Sequence, residues 1–167
     1  MGLDEEEVKK VSKKHIQFLQ KEDPLFEILG KAIVGTPIMV NNVKKQPSYW
    51  LVPLLRLNKI IGFVRVLLNG KVVHIGTFYQ HLTNSEYVPT VITGIHASEA
   101  SKLAAERIQQ DYGVRACEPV FVHDGPIGRE AWLVEIIKDS KPIRWIFVTK
   151  AFIYERDAGK LLNGIIE

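Results

Sequence analysis

The spacing of apolar residues changes period along the chain, and each change marks an element. Val8, Val11, His15, Phe18 and Leu19 recur at three- and four-residue steps, which predicts an amphipathic helix over residues 4–22 with those side chains on its buried stripe. Asp4, Glu5, Glu6 and Glu7 fall in its first turn, where the helix dipole favours negative charge. Asp23-Pro24 interrupts the pattern and opens a shorter helical piece that runs to Leu29 and stops at Gly30. Residues 30–37 read as a loop and residues 37–43 as a first strand. The pattern then turns to runs of Val, Ile, Leu, Phe and Tyr over 49–57, 60–68 and 71–79, separated by Asn58-Lys59 and Asn69-Gly70. Asn-Gly favours a two-residue hairpin turn, because both central residues need positive φ. The segment predicts an antiparallel three-stranded meander.

A connector over 81–97 follows, polar at first, with a short strand expected near 90–95. The pattern then restarts. Ser98 is placed to cap a second helix over 99–112, with Ala100, Leu103, Ala104 and Ile108 on its buried stripe and Gly113 as its stop. Strands are predicted at about 115–123, 129–138 and 142–155. The turns between them are His123–Gly128 and Asp139-Ser140-Lys141, and Asp157-Ala158-Gly159-Lys160 closes the last strand.

The chain therefore states one arrangement twice. Tyr49-Trp50-Leu51-Val52 in the first half is echoed by Ala131-Trp132-Leu133-Val134 in the second, with Trp50 and Trp132 standing 82 residues apart. The expected fold class is α+β: two tandem units, each a helix packed on an antiparallel meander. The first unit spans 1–80, the connector 81–97 and the second unit 98–167.

Hairpin register sorts the side chains between two faces. With turns at Asn58-Lys59 and Asn69-Gly70, Leu57 lies opposite Ile60 and Leu68 opposite Lys71. One face then carries Tyr49, Leu51, Pro53, Leu55, Leu57, Ile60, Val64, Val66, Val73, Ile75 and Tyr79, and is suited to bury a helix. The other carries Trp50, Val52, Leu54, Ile61, Phe63, Leu67, Val72 and Phe78, with Arg56, Arg65 and His74 among them. In the second unit a turn at Asp139-Ser140 puts Trp132, Val134, Ile136, Ile143, Trp145 and Phe147 on one face, and Glu135 opposite Arg144 on the other. Both faces of each sheet are apolar, and one helix covers one face. Each large side chain gains about 1.5–3 kcal/mol on burial, so the second face calls for a cover: the other unit, a second subunit or a ligand.

The second unit resembles a PepSY domain. The likeness rests on Ala97-Ser98-Glu99-Ala100 opening a helix, on Trp132-Leu133-Val134 in a strand, and on the closing run from Ile153 through Tyr154, Glu155, Arg156, Asp157, Ala158, Gly159 and Lys160 to Leu161. The first unit is a looser match through Trp50-Leu51-Val52 and Asn69-Gly70-Lys71-Val72-Val73. The resemblance implies a cystatin-like fold and a non-catalytic role in the inhibition or regulation of peptidases, with no functional residues to carry over.

Composition narrows the function classes. A hydrophobic share of 46% with 25% charged residues is globular. A net charge of +3, from 22 Lys and Arg against 19 Asp and Glu, lacks the clustered basic stripe that nucleic acid requires. Cys117 is the only cysteine, which excludes an intrachain disulfide and fits a reducing, cytoplasmic setting. The opening residues lack a basic and apolar leader, and no apolar run is long enough to span a membrane.

No pattern of catalytic residues emerges. Cys117 and His123 lie about 20 Å apart if they share one strand, too far for a nucleophilic pair. The five His show no metal-ligand spacing. Gly30–Thr36 has two Gly at phosphate-loop spacing but no Lys after the second. Neither catalytic, metal nor cofactor-binding residues are expected. The leading expectation is a non-enzymatic interaction or regulatory protein that binds a peptide or protein partner, with a homodimer as one form of cover. The alternative is a carrier of an amphiphilic anion, with Arg56, Arg65 and His74 on the head group and Trp50 and Phe63 in the apolar floor.

Overall fold

The computed structural model describes residues 2–78 and 88–159. The expected positions of Tyr79, of residues 81–87 in the connector, and of Lys160 and Leu161 in the closing run lie outside the described residues. The fold class is α+β. By internal contacts the chain forms two compact units: Met1–Val40 with Pro47–Ile92, and Asn41–Gln46 with Thr93–Glu167.

The first unit opens with α1, Glu5–Glu22, whose start is a capping box: Asp4 accepts from the Glu7 amide and the Glu7 carboxylate accepts from the Asp4 amide. The buried stripe is Val8, Ser12 and Ile16. It is shifted from the expected one, and Phe18 is exposed. Ser12 is small enough for close approach, and its hydroxyl is satisfied by donating to the Val8 carbonyl at 2.9 Å. A short 3-10 turn at Pro24–Phe26 and α2, Glu27–Gly30, follow the break at Asp23.

The expected loop at 30–37 contains a two-residue strand, β1, Ile33–Val34. The sheet then comprises β2 (Ile38–Asn41), β3 (Pro47–Arg56), β4 (Lys59–Leu67) and β5 (Val72–Thr77), in the order β2-β3-β4-β5 with β1 also on β3. Helix α1 covers the face made by Val52, Leu54, Ile61, Val64 and Val66, with Trp50, Val72 and Ile75 packed at its margin.

That face differs from the predicted one, and the cause is register. The β3–β4 turn is Leu57-Asn58, both at positive φ (49° and 60°), rather than Asn58-Lys59. A bulge then inserts Ile61, so that Leu55 pairs with Ile60 but Leu54 with Gly62. The net slip is one residue, which turns β3 over relative to β4. Trp50, Val52 and Leu54 therefore join Val64 and Val66 beneath the helix.

The β4–β5 hairpin keeps its predicted register by a different route. Leu68, Asn69 and Gly70 form a three-residue loop in which Gly70 alone takes positive φ, 86°. An extra residue at Val73 then restores the pairing of Arg65 with His74. The second face is buried as well: Tyr49, Leu51 and Pro53 are shielded from solvent.

The second unit contains α3 (Ala97–Arg107), β6 (Val114–Ala116), β7 (Val120–His123), β8 (Glu130–Lys138), β9 (Lys141–Val148) and β10 (Ile153–Asp157). Residues 90–95 form turns rather than the expected short strand. The cap of α3 is His96, two residues before Ser98; its carbonyl receives the Glu99 and Ala100 amides, while Ser98 lies inside the helix. The expected strand 115–123 is split at Pro119, which offers no amide proton to a ladder. The expected strand 142–155 is split by a turn in which the Thr149 hydroxyl accepts the Ala151 and Phe152 amides.

The sheet order is β10-β9-β8-β7 with β6 also on β8, all antiparallel. Asn41 adds a parallel pairing, with Val122. Its side-chain amide also donates to the Phe121 carbonyl.

Helix α3 covers Val134, Ile136, Ile146 and Val148, with Trp132 beside them. Its stripe, Ala100, Leu103, Ala104 and Ile108, is the predicted one. The turn is Asp139-Ser140 as expected, at φ 48° and 63°, but a bulge inserts Ile143. Glu135 therefore faces Trp145 instead of Arg144. The Glu135 carboxylate accepts from Trp145 Nε1 at 3.1 Å and pairs with Lys45 at 2.8 Å, while Arg144 pairs with Glu155 and Asp111. The opposite face is packed by Val122, Ala131, Leu133, Trp145, Phe147 and Ala158, with Val43, Val120 and Tyr154 against them.

Candidate functional site

Arg65 stands mid-strand in β4 between Val64 and Val66, which both pack in the helix-covered cluster. Strand alternation sends its side chain to the other face, where 7% of the residue is exposed. A buried guanidinium needs partners. Its carbon lies 4.4 Å from the centre of the Phe63 ring, and Nη1 donates to His74 Nδ1 at 2.8 Å. Phe63 meets His74 edge-on at 5.4 Å and Phe78 at 5.5 Å. Cation–π contact of this kind contributes about 0.5–2 kcal/mol.

Gly76 makes room for the arrangement. It pairs with Phe63 across the ladder, and a Cβ there would come within 2.4 Å of the Phe63 ring.

Three of the five predicted site residues, Phe63, Arg65 and His74, thus meet on one face. The other two do not join them. Trp50 lies beneath α1, where its indole nitrogen is buried with no hydrogen-bond partner among the described residues. Arg56 pairs with Lys59 at the end of the hairpin, five residues from Leu51, the cross-strand partner of Arg65. That separation is about 17 Å. Both residues come from β3, the strand that the register slip turned over.

A second polar cluster, in the other unit, had no motif to reveal it. Asp124 is 2% exposed. It accepts from the Tyr154 hydroxyl at 2.7 Å and pairs with Arg156 at 2.7 Å and Arg129 at 3.6 Å. Burial, then the Asp124 carboxylate, push the Tyr154 hydroxyl pKa above the usual phenol range. Tyr154 stacks on Phe147 at 4.9 Å. In sequence, Asp124 reads as a turn residue before Gly125; Tyr154 and Arg156 are brought to it by β10, and Arg129 by the far end of the same turn.

Cys117 lies between β6 and β7, and its amide donates to the Glu135 carbonyl. His123 Nδ1 bonds the Gly125 carbonyl at 2.6 Å. Among the described residues no group of three or more His, Cys, Asp or Glu is placed to hold a metal ion. Nor is any described helix long and apolar enough to cross a membrane.

No family model, curated protein or solved structure matches the chain.

Proposed function

We propose that this protein is a non-enzymatic binding module, built by duplication of a cystatin-like helix-on-meander unit. On this reading it takes up an extended segment of a peptide or protein partner along β5. The duplication is supported by the two hairpins. Trp50, Val52, Leu54, Val64 and Val66 pack under α1, and Trp132, Val134, Ile136, Ile146 and Val148 pack under α3, each pair 82 residues apart. The turn pairs Leu57-Asn58 and Asp139-Ser140 and the bulged residues Ile61 and Ile143 keep the same spacing.

The observation that carries the binding reading is a contrast between outer strands. Among the described residues β5 pairs with β4 alone and β10 with β9 alone. Natural outer strands are guarded with charge or proline. In β10, three of five residues, Glu155, Arg156 and Asp157, are charged. In β5, Val-Val-His-Ile-Gly-Thr has neither a formal charge nor a proline. The ladder bond from the Phe78 amide to the Ile61 carbonyl sets which groups face β4, so Ile75 turns its amide and carbonyl outward. Strand addition uses those groups for affinity and alternate side chains for selectivity.

The test is a titration of isotope-labelled full-length chain with a peptide selected from a displayed library. Amide signals of Val72–Thr77 should shift, and the Ile75 amide should become protected from exchange. Changes confined to α1 or β10 would contradict the reading.

A second reading, a carrier of an amphiphilic anion, is favoured by the convergence of Phe63, Arg65 and His74. It predicts a bound small molecule in native mass spectrometry that Arg65→Ala releases.

A further inference from the structure

We infer that the tip of the β3–β4 hairpin is a peripheral anchor for an anionic lipid surface, with Leu57 as the inserted side chain and Arg56 and Lys59 as its flanking cations. The tip belongs to β3 and β4, so it acts independently of whatever β5 takes up. Two local costs meet there. Leu57 and Asn58 occupy the turn at φ 49° and 60°, a left-handed conformation that strains a leucine. Arg56 and Lys59 are cross-strand partners, and like charges placed opposite one another repel. Neither cost is offset by contacts with the described residues. Leu57 is 89% exposed, and neither cation has an ion-pair partner among the described residues.

The β8–β9 hairpin carries the same turn without either cost. Asp139-Ser140 takes that conformation at φ 48° and 63°, and both residue types suit turns. Lys138 and Lys141 oppose each other as Arg56 and Lys59 do, but the residue after Lys138 is an acid, Asp139. In the β3–β4 turn an apolar residue stands in that place. Ile33 extends the apolar tip: it is 72% exposed and pairs with Leu55, two residues before Leu57. A cross-strand diagonal of that kind spans about 8 Å. Exposed apolar side chains rimmed by cations fit the boundary of an anionic bilayer, where acyl chains receive the former and lipid phosphates the latter. A stable protein interface needs about 800 Å² on each side, whereas a lipid surface accepts a projecting tip without a shaped pocket. The charge and the shape of the tip thus specify its occupant.

The test is sedimentation of the full chain with vesicles of phosphatidylcholine, alone or with about 30% phosphatidylserine. The anionic vesicles should bind about tenfold more tightly, and added salt should narrow the difference. Leu57→Asn suits the turn better than leucine and so keeps the fold; it should weaken binding to the anionic vesicles about tenfold. Leu57→Phe, still apolar, should retain that binding. Arg56→Gln combined with Lys59→Gln should bring the two vesicle types level. A parent chain that stays in solution with both vesicles overturns the inference and leaves the tip to a protein partner. Leu57→Asn that binds as tightly as the parent, or an anionic preference that survives the loss of both cations, assigns the binding to another surface and overturns it equally.

Discussion

Gly76 and Phe63 form a pair in which one residue exists for the other. The Phe63 ring crosses β5 where Gly76 has no side chain, and from there it supports both Arg65 and His74. Gly76→Ala should displace the ring and cost about 1–3 kcal/mol, as overpacking does. A fall in the urea midpoint, with a shift of the His74 ring signals, would be the readout. An unchanged midpoint would mean that the ring moves aside freely.

Tyr154 is the other residue with a measurable signature. Its folded-state pKa is raised above that of the unfolded chain, because burial and the Asp124 carboxylate favour the neutral phenol. Below about pH 10 both states keep the proton, and the contribution to stability is whole. As pH rises past that value the unfolded state loses its proton first, so stability falls. The urea midpoint of the parent chain should therefore drop more steeply above pH 10 than that of Tyr154→Phe, about the pH at which free phenols titrate. Parallel slopes would show that the Asp124 contact does not hold the phenol.

At the scale of elements, hairpin turns decide which residues face the helix. Leu57 sits at φ 49° and is 89% exposed, so it suffers left-handed strain without gaining burial. Leu57→Asn should stabilise the hairpin by about 0.5–1 kcal/mol. A lower melting temperature would contradict that turn geometry.

The same hairpins mark the reach of periodicity. The runs of Val, Ile, Leu and aromatic residues located β3, β4, β5 and β8 to within two residues, and the start but not the end of β9. They did not carry the one-residue insertions at Ile61, Val73 and Ile143, because an inserted residue is chosen by twist and packing and leaves the composition of the strand unchanged. The candidate site was legible where it depended on the β4–β5 register, which paired Arg65 with His74. Trp50 and Arg56, which come from β3, are placed apart from these residues, because the face of β3 depended on a turn and a bulge that periodicity does not carry.

At the scale of the molecule, the two helix-covered clusters share five strand positions but treat their tryptophans differently. Trp132 donates to the Ile95 carbonyl at 3.0 Å, whereas the Trp50 indole nitrogen has no partner among the described residues. Replacing a bonded donor costs about 0.5–1.5 kcal/mol, while removing an unpaired buried donor relieves its desolvation cost. Trp132→Phe should therefore destabilise more than Trp50→Phe, by about 1 kcal/mol or more in thermal or urea unfolding. Equal losses would mean that Trp50 finds a partner in solution.

Local sequence determined the class of fold, the position of α1, the buried stripe of α3 though not its end at Arg107, most strands, and the echo between halves, because apolar periodicity is a property of neighbours in the chain. The tertiary structure alone decided the faces. Side chains alternate with a period of two, so one inserted residue exchanges inside for outside along a whole strand. Asp124 and Arg129 come from the β7–β8 turn and Tyr154 and Arg156 from β10, and no spacing in the chain could announce that burial would bring the two segments together.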